Sequence, residues 1–191
     1  MLDLFPTVSV SEDVLPFMRD RPPWAPVNSA DQARTKVLKQ LVPGPPEAPE
    51  VAISIYRPND CEGNIPCIFH IHGGGYVTGS AGDLEGVHLP LAADLNCCII
   101  SVDYRLAPET VFPGAIEDSY AAIAWVFRHA EELRIDAARV GVMGESAGGS
   151  SGRARVACPR PGRIPAGVSA SHLSNDRRQD MHNRRPASTH G

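Results

Sequence analysis

"RVGVMGESAGG", residues 139–149, decides how this chain is read. Its first half, Val140 to Met143, is short and apolar, like a strand covered on both faces. Its second half, Gly144-Glu145-Ser146-Ala147-Gly148, has G-x-S-x-G spacing. Between a strand and a helix, that spacing marks a sharp, strained turn that holds a serine hydroxyl out from a sheet. Glycines flank the serine because side chains there would collide with neighbouring backbone. The start of the following helix aims N–H groups at developing negative charge. With 17 glycines in 191 residues the spacing can also arise by chance. Its weight therefore comes from the strand before it and the motifs around it.

Upstream, "PCIFHIHGGG" (66–75) reads as a buried strand that runs into His72-Gly73-Gly74-Gly75. Glycines at a strand end permit a loop whose N–H groups face a substrate oxygen. A phosphate cradle is the rival reading, but no G-K-[ST] follows and the spacing is not G-x-G-x-x-G. His72 reads as a residue that fixes the glycine loop through side-chain hydrogen bonds rather than as a general base. His70, on the strand, reads as a core residue. "NCCIISVDYR" (96–105) is another buried strand, and "EVAISIYRP" (50–58) alternates in β fashion and stops at Pro58. Residues 83–95 can form helix around Pro90. Residues 113–133 place Ile116, Tyr120, Ile123, Ala124 and Phe127 on one helical stripe. Strands alternating with helices predict an α/β protein with a mostly parallel sheet flanked by helices. Asp103 and Arg105 read as loop-fixing residues and Asp118 as a surface carboxylate, none of them catalytic.

Composition sets the outer limits. One domain is the default for 191 residues. The net charge of −4 argues against a nucleic-acid partner. Residues 1–150 carry 10 Lys+Arg against 20 Asp+Glu, whereas residues 151–191 carry 8 Arg against 2 Asp and no aromatic residue. Such a tail cannot bury enough apolar surface to offset the entropy of ordering it. No apolar run reaches the ~18 residues of a membrane span. The N-terminus has no basic region of the signal-peptide kind. Five cysteines, two of them the adjacent Cys97 and Cys98, read as buried free thiols in a reducing compartment, and the cytoplasm is the default location. Residues 1–48 mix short amphipathic pieces with "RPPWAP" and "VPGPPEAPE", which predicts a helical arm followed by a Pro-rich connector.

Four segments together, "HIHGGGYVTGS" (70–80), "SVDYRLAPE" (101–109), "FPGAIEDSYAAIAWV" (112–126) and "VGVMGESAGG" (140–149), resemble the hormone-sensitive-lipase-like family. These are α/β-hydrolases of the bacterial carboxylesterase and arylacetamide-deacetylase kind. The resemblance runs from about residue 50 to residue 149, in order and at natural spacing. It implies an α/β-hydrolase fold and a serine carboxylesterase that works through an acyl-enzyme. Ser146 would be the nucleophile. The N–H groups of Gly74, Gly75 and Ala147 would form the oxyanion hole, with Gly73 in the same motif. His72, Gly144, Glu145 and Gly148 would support the motifs. The implied partner is a small-molecule ester. No metal or organic cofactor is implied, and the oligomeric state stays open. Residues 1–48 would be the cap arm over the acyl pocket, and residues 49–150 the N-terminal part of the hydrolase domain.

The resemblance fails after Ser146. The family pattern needs an acid and then a histidine downstream. The tail offers Asp176, Asp180, His172, His182 and His190, none in a family-like context. Its Arg, Pro, Ser, Gly and Ala follow no pattern of a packed element and fit GC-rich coding sequence read out of frame. Synonymous codons for Arg155–His182, read one base on, permit an apolar strand closing in "YPMIDD", which resembles the family's continuation. The expectation is therefore a hydrolase domain incomplete at its C-terminal side, a largely disordered out-of-frame tail over residues 151–191, and little esterase activity. The alternative is a non-catalytic small-ligand-binding module of the same fold, since the family includes a plant hormone receptor that lost the triad histidine. Sequencing the coding DNA around codon 150 tests the tail's origin. The expected result is an uninterrupted hydrolase continuation in the neighbouring frame, and its absence would mark the tail as genuine.

Overall fold

The two most apolar runs pair with each other. β3 (Ile65–Ile71) and β4 (Cys98–Asp103) run parallel, with Cys67 opposite Cys98 and Ile71 opposite Val102. Phe69, Ile99, Ile100 and Val102 are fully buried, because a sheet covered on both faces leaves no solvent side for alternation. This arrangement comes from a computed structural model that describes residue 11, residues 13–151 and residues 169–170. β5 (Ile135–Gly144) lies parallel on the other side of β3 and ends with Gly144 opposite Ile71. β2 (Val51–Pro58) is antiparallel to β4, and β1 (Thr35–Val42) is antiparallel to β2. A two-residue strand, β6 (Ser169–Ala170), pairs parallel with Gly141 and Val142 of β5. The order is β1-β2-β4-β3-β5-β6, parallel from β4 onward.

Helices cover both faces. α3 (Glu85–Leu95) sets Leu89 and Ala92 against Tyr56 and Ile99. α4 (Gly114–Arg128) sets Ala122, Ile123 and Val126 against Ile53, Ile55, Phe69 and Ile100 on the opposite face. Pro90 sits inside α3, so the helix forms through the proline, as its flanking sequence predicts. Two further short helices, α1 (Leu15–Arg19) and α2 (Ser29–Arg34), precede the sheet. Asn28 caps α2 by accepting the Ala30 N–H at 2.8 Å.

Three expectations are corrected. Residues 1–48 are not only a helical arm and a Pro-rich connector, because residues 35–42 form β1. The exposed edge of β2 offers a row of N–H and C=O groups, and β1 satisfies them in register from Thr35–Pro58 to Val42–Val51. The buried face of α4 is not the predicted stripe. Ile116, Tyr120, Ala124 and Phe127 are only half-buried, and the helix packs through Ala115, Ser119, Ala122 and Val126. Small side chains let the helix axis approach the sheet closely, so they lie at the contact. Asp118 is not a surface carboxylate, since it is fully buried and bonded to Arg105. The expectation for the tail, residues 151–191, lies outside the described residues except for Ser151 and the pair Ser169–Ala170 of β6.

His88, on α3, is fully buried between the rings of Tyr56 and His70, at centroid distances of 5.1 and 4.5 Å. Neither ring nitrogen has a hydrogen-bond partner among the described residues. Burial, with a smaller push from His70, lowers its pKa to about 3. Unfolded, the same ring takes up a proton below a pKa of about 6.5. Its contribution is thus fully present above that pH and is lost as pH falls toward 3, at about 1.4 kcal/mol per pH unit. Urea unfolding at pH 7 and pH 5 should show a loss that His88→Leu reduces by about 2 kcal/mol. Equal acid sensitivity in both proteins would show that His88 is charged or solvated in the fold.

Candidate active site

Adjacent parallel strands bring two loops together at their C-terminal ends, where open α/β sheets place ligands. β3 releases His72-Gly73-Gly74-Gly75, and β5 releases Gly144 to Gly148. The approach is close enough to exclude side chains. A Cβ on Gly148 would strike the Ile71 carbonyl oxygen, and one on Gly144 would lie 2.8 Å from that same oxygen. Ser146 between them has φ 51°. This left-handed conformation costs a non-glycine residue roughly 1 kcal/mol. The Gly148 N–H donates to the Glu145 carbonyl at 2.9 Å and closes the turn. Residues 147–151 then start a helix. The serine is exposed while its neighbours Ala147 and Gly148 are buried.

The glycine loop is bent by three successive positive φ values, 118° at Gly74, 65° at Gly75 and 66° at Tyr76. The N–H groups of Val77 and Thr78 both donate to the Gly74 carbonyl, at 3.1 and 3.0 Å. A Cβ on Gly74 would collide with the Thr78 carbonyl. The N–H groups of Gly74, Gly75 and Ala147 have no hydrogen-bond partner among the described residues. Gly73 sits against the serine turn, where a Cβ would be 3.0 Å from the Glu145 carbonyl oxygen.

Three aromatic rings hold this geometry. The Tyr76 hydroxyl donates to the Ala147 carbonyl at 2.8 Å and lies 3.0 Å from the Ser151 hydroxyl, so it ties the glycine loop to the serine helix. The His72 Nδ1–H donates to the Gly73 carbonyl at 2.8 Å, and its ring stacks on Tyr104 at 4.1 Å. Tyr104 in turn donates to the His72 carbonyl at 2.8 Å. Burial lowers the His72 pKa against the opposing pull of the Gly73 carbonyl and Asp103. Sequence reasoning passed over both tyrosines. Their signal was position: Tyr76 follows the glycines directly, and Tyr104 ends the neighbouring strand.

Glycine loop and serine turn open on one cavity of about 660 Å³. Met18, Arg21 and Trp24 from the N-terminal segment form its other wall. Arg19 fastens that segment. It donates to the carbonyls of Val77 and Ala107, both at 2.9 Å, and pairs with Glu109 at 2.7 Å. The Trp24 backbone N–H adds a bond to the Asp83 carbonyl at 3.0 Å.

No imidazole bonds to the Ser146 hydroxyl among the described residues, and Asp176, Asp180, His172, His182 and His190 lie outside them. Among the described residues no group of three His, Cys, Asp or Glu could hold a metal ion, and no helix is long and apolar enough to cross a membrane. The described cysteines, Cys61, Cys67, Cys97 and Cys98, are free thiols.

Comparison with known proteins agrees with this geometry. The family model for the alpha/beta hydrolase fold matches residues 68–152. Esterase LipI of Mycobacterium tuberculosis is 38% identical over 117 residues, which are 60% of this chain and 36% of that protein. The solved structure of esterase LipW from Mycobacterium marinum superposes with a TM-score of 0.63 at 30% identity, over 72% of this chain and 43% of that one. A bacterial heroin esterase gives 0.61 at 39% identity, over 62% of this chain and 38% of that one. The chain spans about a third of the length of the curated relatives it matches. With its strand order, glycine loop and serine turn in these positions, the chain has the α/β-hydrolase fold and is similar, over part of its length, to esterases that share it.

Proposed function

We propose that this chain carries the nucleophile and oxyanion half of a serine carboxylesterase site. Ser146 attacks the carbonyl carbon of a small carboxylic ester. The N–H groups of Gly74, Gly75 and Ala147 receive the oxyanion, on a loop begun by Gly73 and steadied by His72. Collapse of the tetrahedral adduct expels the alcohol and leaves an acyl-serine, which water hydrolyses in the complete enzyme. One observation carries the reading: an exposed serine at φ 51° lines one cavity with Gly74 and Gly75, whose N–H groups have no partner among the described residues. The relatives' names support ester hydrolysis as the reaction class. Residues 1–48, apart from β1, act as the cap arm and connector, and free thiols, three of the four described ones buried, suit a reducing, cytoplasmic setting.

The same proposal holds that the 191-residue chain turns over slowly. A serine hydroxyl without an imidazole partner is a poor nucleophile near neutral pH. Assayed on p-nitrophenyl acetate and butyrate, the chain should stay well below the ~1 s⁻¹ typical of complete enzymes. Ser146→Ala should remove whatever serine-dependent rate exists. A rate above about 1 s⁻¹ that vanished in Ser146→Ala would show that an imidazole reaches the serine after all.

A second reading is a non-catalytic small-ligand-binding module. The formed cavity beside a serine that has no imidazole partner among the described residues favours it. Saturable binding of an ester or its acid by calorimetry, with no turnover and no effect of Ser146→Ala, is its signature.

A further inference from the structure

Behind the serine turn lies a line of polar groups that the proposed ester chemistry does not use. His70 is fully buried on the α3-facing side of β3. Its Nδ1 lies 3.0 Å from the Ser101 hydroxyl on β4, and its Nε2 lies 3.0 Å from both carboxylate oxygens of Glu145. A carboxylate only accepts, so Nε2 carries the proton. In the neutral ring Nδ1 is then an acceptor, and the Ser101 O–H donates to it. Every polar atom of the buried ring is satisfied, and the line ends on the residue directly before Ser146.

We propose that Ser101, His70 and Glu145 form a hydrogen-bonded chain that holds the serine turn in its strained shape, with His70 as the positioning residue behind Ser146. The proposal rests on the reading of Ser146 as the nucleophile. Three observations support it. An apolar side chain would fill the His70 site with no polar group to satisfy, so the sheet carries a desolvation cost that only complete pairing offsets. The Glu145 side chain is 43% exposed and lines the cavity, so without its anchor it would swing toward solvent. Its own carbonyl accepts the Gly148 N–H that closes the turn. Fixing the Glu145 side chain therefore fixes the peptide that delivers Ser146. Burial raises the Glu145 carboxyl, but the hydrogen bonds it accepts from His70 and from its own backbone N–H help to offset it, and the group ends below its ordinary value.

The residue types match a serine-hydrolase triad, yet the arrangement is not a second catalytic site. Ser101 is fully buried. The ring is also turned about relative to a triad, with Nδ1 facing the hydroxyl and Nε2 the carboxylate.

The test uses the 191-residue chain labelled with ¹⁵N-histidine, at pH 8, where imidazoles are ordinarily neutral. His70 should appear as the Nε2–H form with Nδ1 an acceptor, and an Nδ1–H form would overturn the chain. Amide exchange at Gly148 supplies the second readout. His70→Phe removes the donor and should speed that exchange by roughly tenfold or more, the size of a lost hydrogen bond to a charged group. His70→Gln places an amide donor near the same point and should restore most of the protection. Should His70→Phe fail to fold, Glu145→Ala at its half-exposed position carries the same expectation. Equal Gly148 exchange in wild type and Glu145→Ala, or equal loss in the Phe and Gln variants, would overturn the proposal. None of these readouts needs turnover, so a failed esterase reading would show separately, in the Ser146→Ala assay.

Discussion

Asp118→Ala should destabilise the chain by about 3 kcal/mol, read as a shift in the urea midpoint followed by circular dichroism. The carboxylate is fully buried within α4 and accepts three hydrogen bonds from Arg105, one from its backbone N–H at 2.9 Å and two from its guanidinium at 2.8 and 2.7 Å. Removing one partner of a buried pair costs about 3–5 kcal/mol, because the other charge is left uncompensated. Here the Arg105 side chain is 30% exposed and can turn partly to water, which sets the lower end of that range. Asp118→Asn keeps one acceptor and should lose about half as much. The effect should reach the cavity as well. Arg105 leads into Ala107, whose N–H donates to the Tyr76 carbonyl at 2.8 Å, and Tyr76 ties the glycine loop to the serine helix. A loss below about 1 kcal/mol in Asp118→Ala would show that Arg105 finds other partners at no cost.

Gly148→Ala should be comparably severe, about 3 kcal/mol or more, at the upper end of what overpacking costs. The new methyl would meet the Ile71 carbonyl oxygen and lie 2.7 Å from the His72 carbonyl oxygen. Both are backbone atoms at the end of a central strand, so no side-chain rotation relieves the clash. Gly63→Ala is the internal control. Gly63 has φ 64° with nothing within 4 Å of an added Cβ, so only the conformational penalty of about 1 kcal/mol applies. Comparable losses at the two positions would mean that the turn yields, and that the close packing of β3 against the serine helix is not what requires glycine.

Legibility followed local periodicity. β3, β4 and the serine turn were readable because their apolar runs are continuous and end in glycines or turn residues. β1 was not. Val37, Leu38, Leu41 and Val42 do not alternate, and Leu38 and Leu41 remain about half exposed on an edge strand, so hydropathy there reports neither period. The buried face of α4 escaped for a related reason. Ala115, Ser119 and Ala122 carry little hydropathic contrast, while the larger Ile116, Tyr120 and Phe127 mark the rim. The Asp118–Arg105 pair and the His70–Glu145 contact join residues on different elements, and only the tertiary fold brings them together. Motif spacing located Ser146 and the glycines, but it said nothing of Tyr76 and Tyr104, whose hydroxyls act on backbone carbonyls of other segments.

The position of β3 in the sheet sets a schedule for the newborn chain. Both of its hydrogen-bonding neighbours, β4 and β5, are synthesised after it, and they are complete only at Asp103 and Gly144. A ribosome adds about 5–20 residues per second. Ile65–Ile71 therefore waits, with at least one backbone edge unpaired, for on the order of four to fifteen seconds until its second neighbour is made. Antiparallel β1 and β2 can join as a hairpin soon after Pro58 is made, whereas β3 has no earlier partner in the final order. During that interval the apolar ribbon is the segment of this chain most open to capture by a holdase chaperone or by another nascent copy.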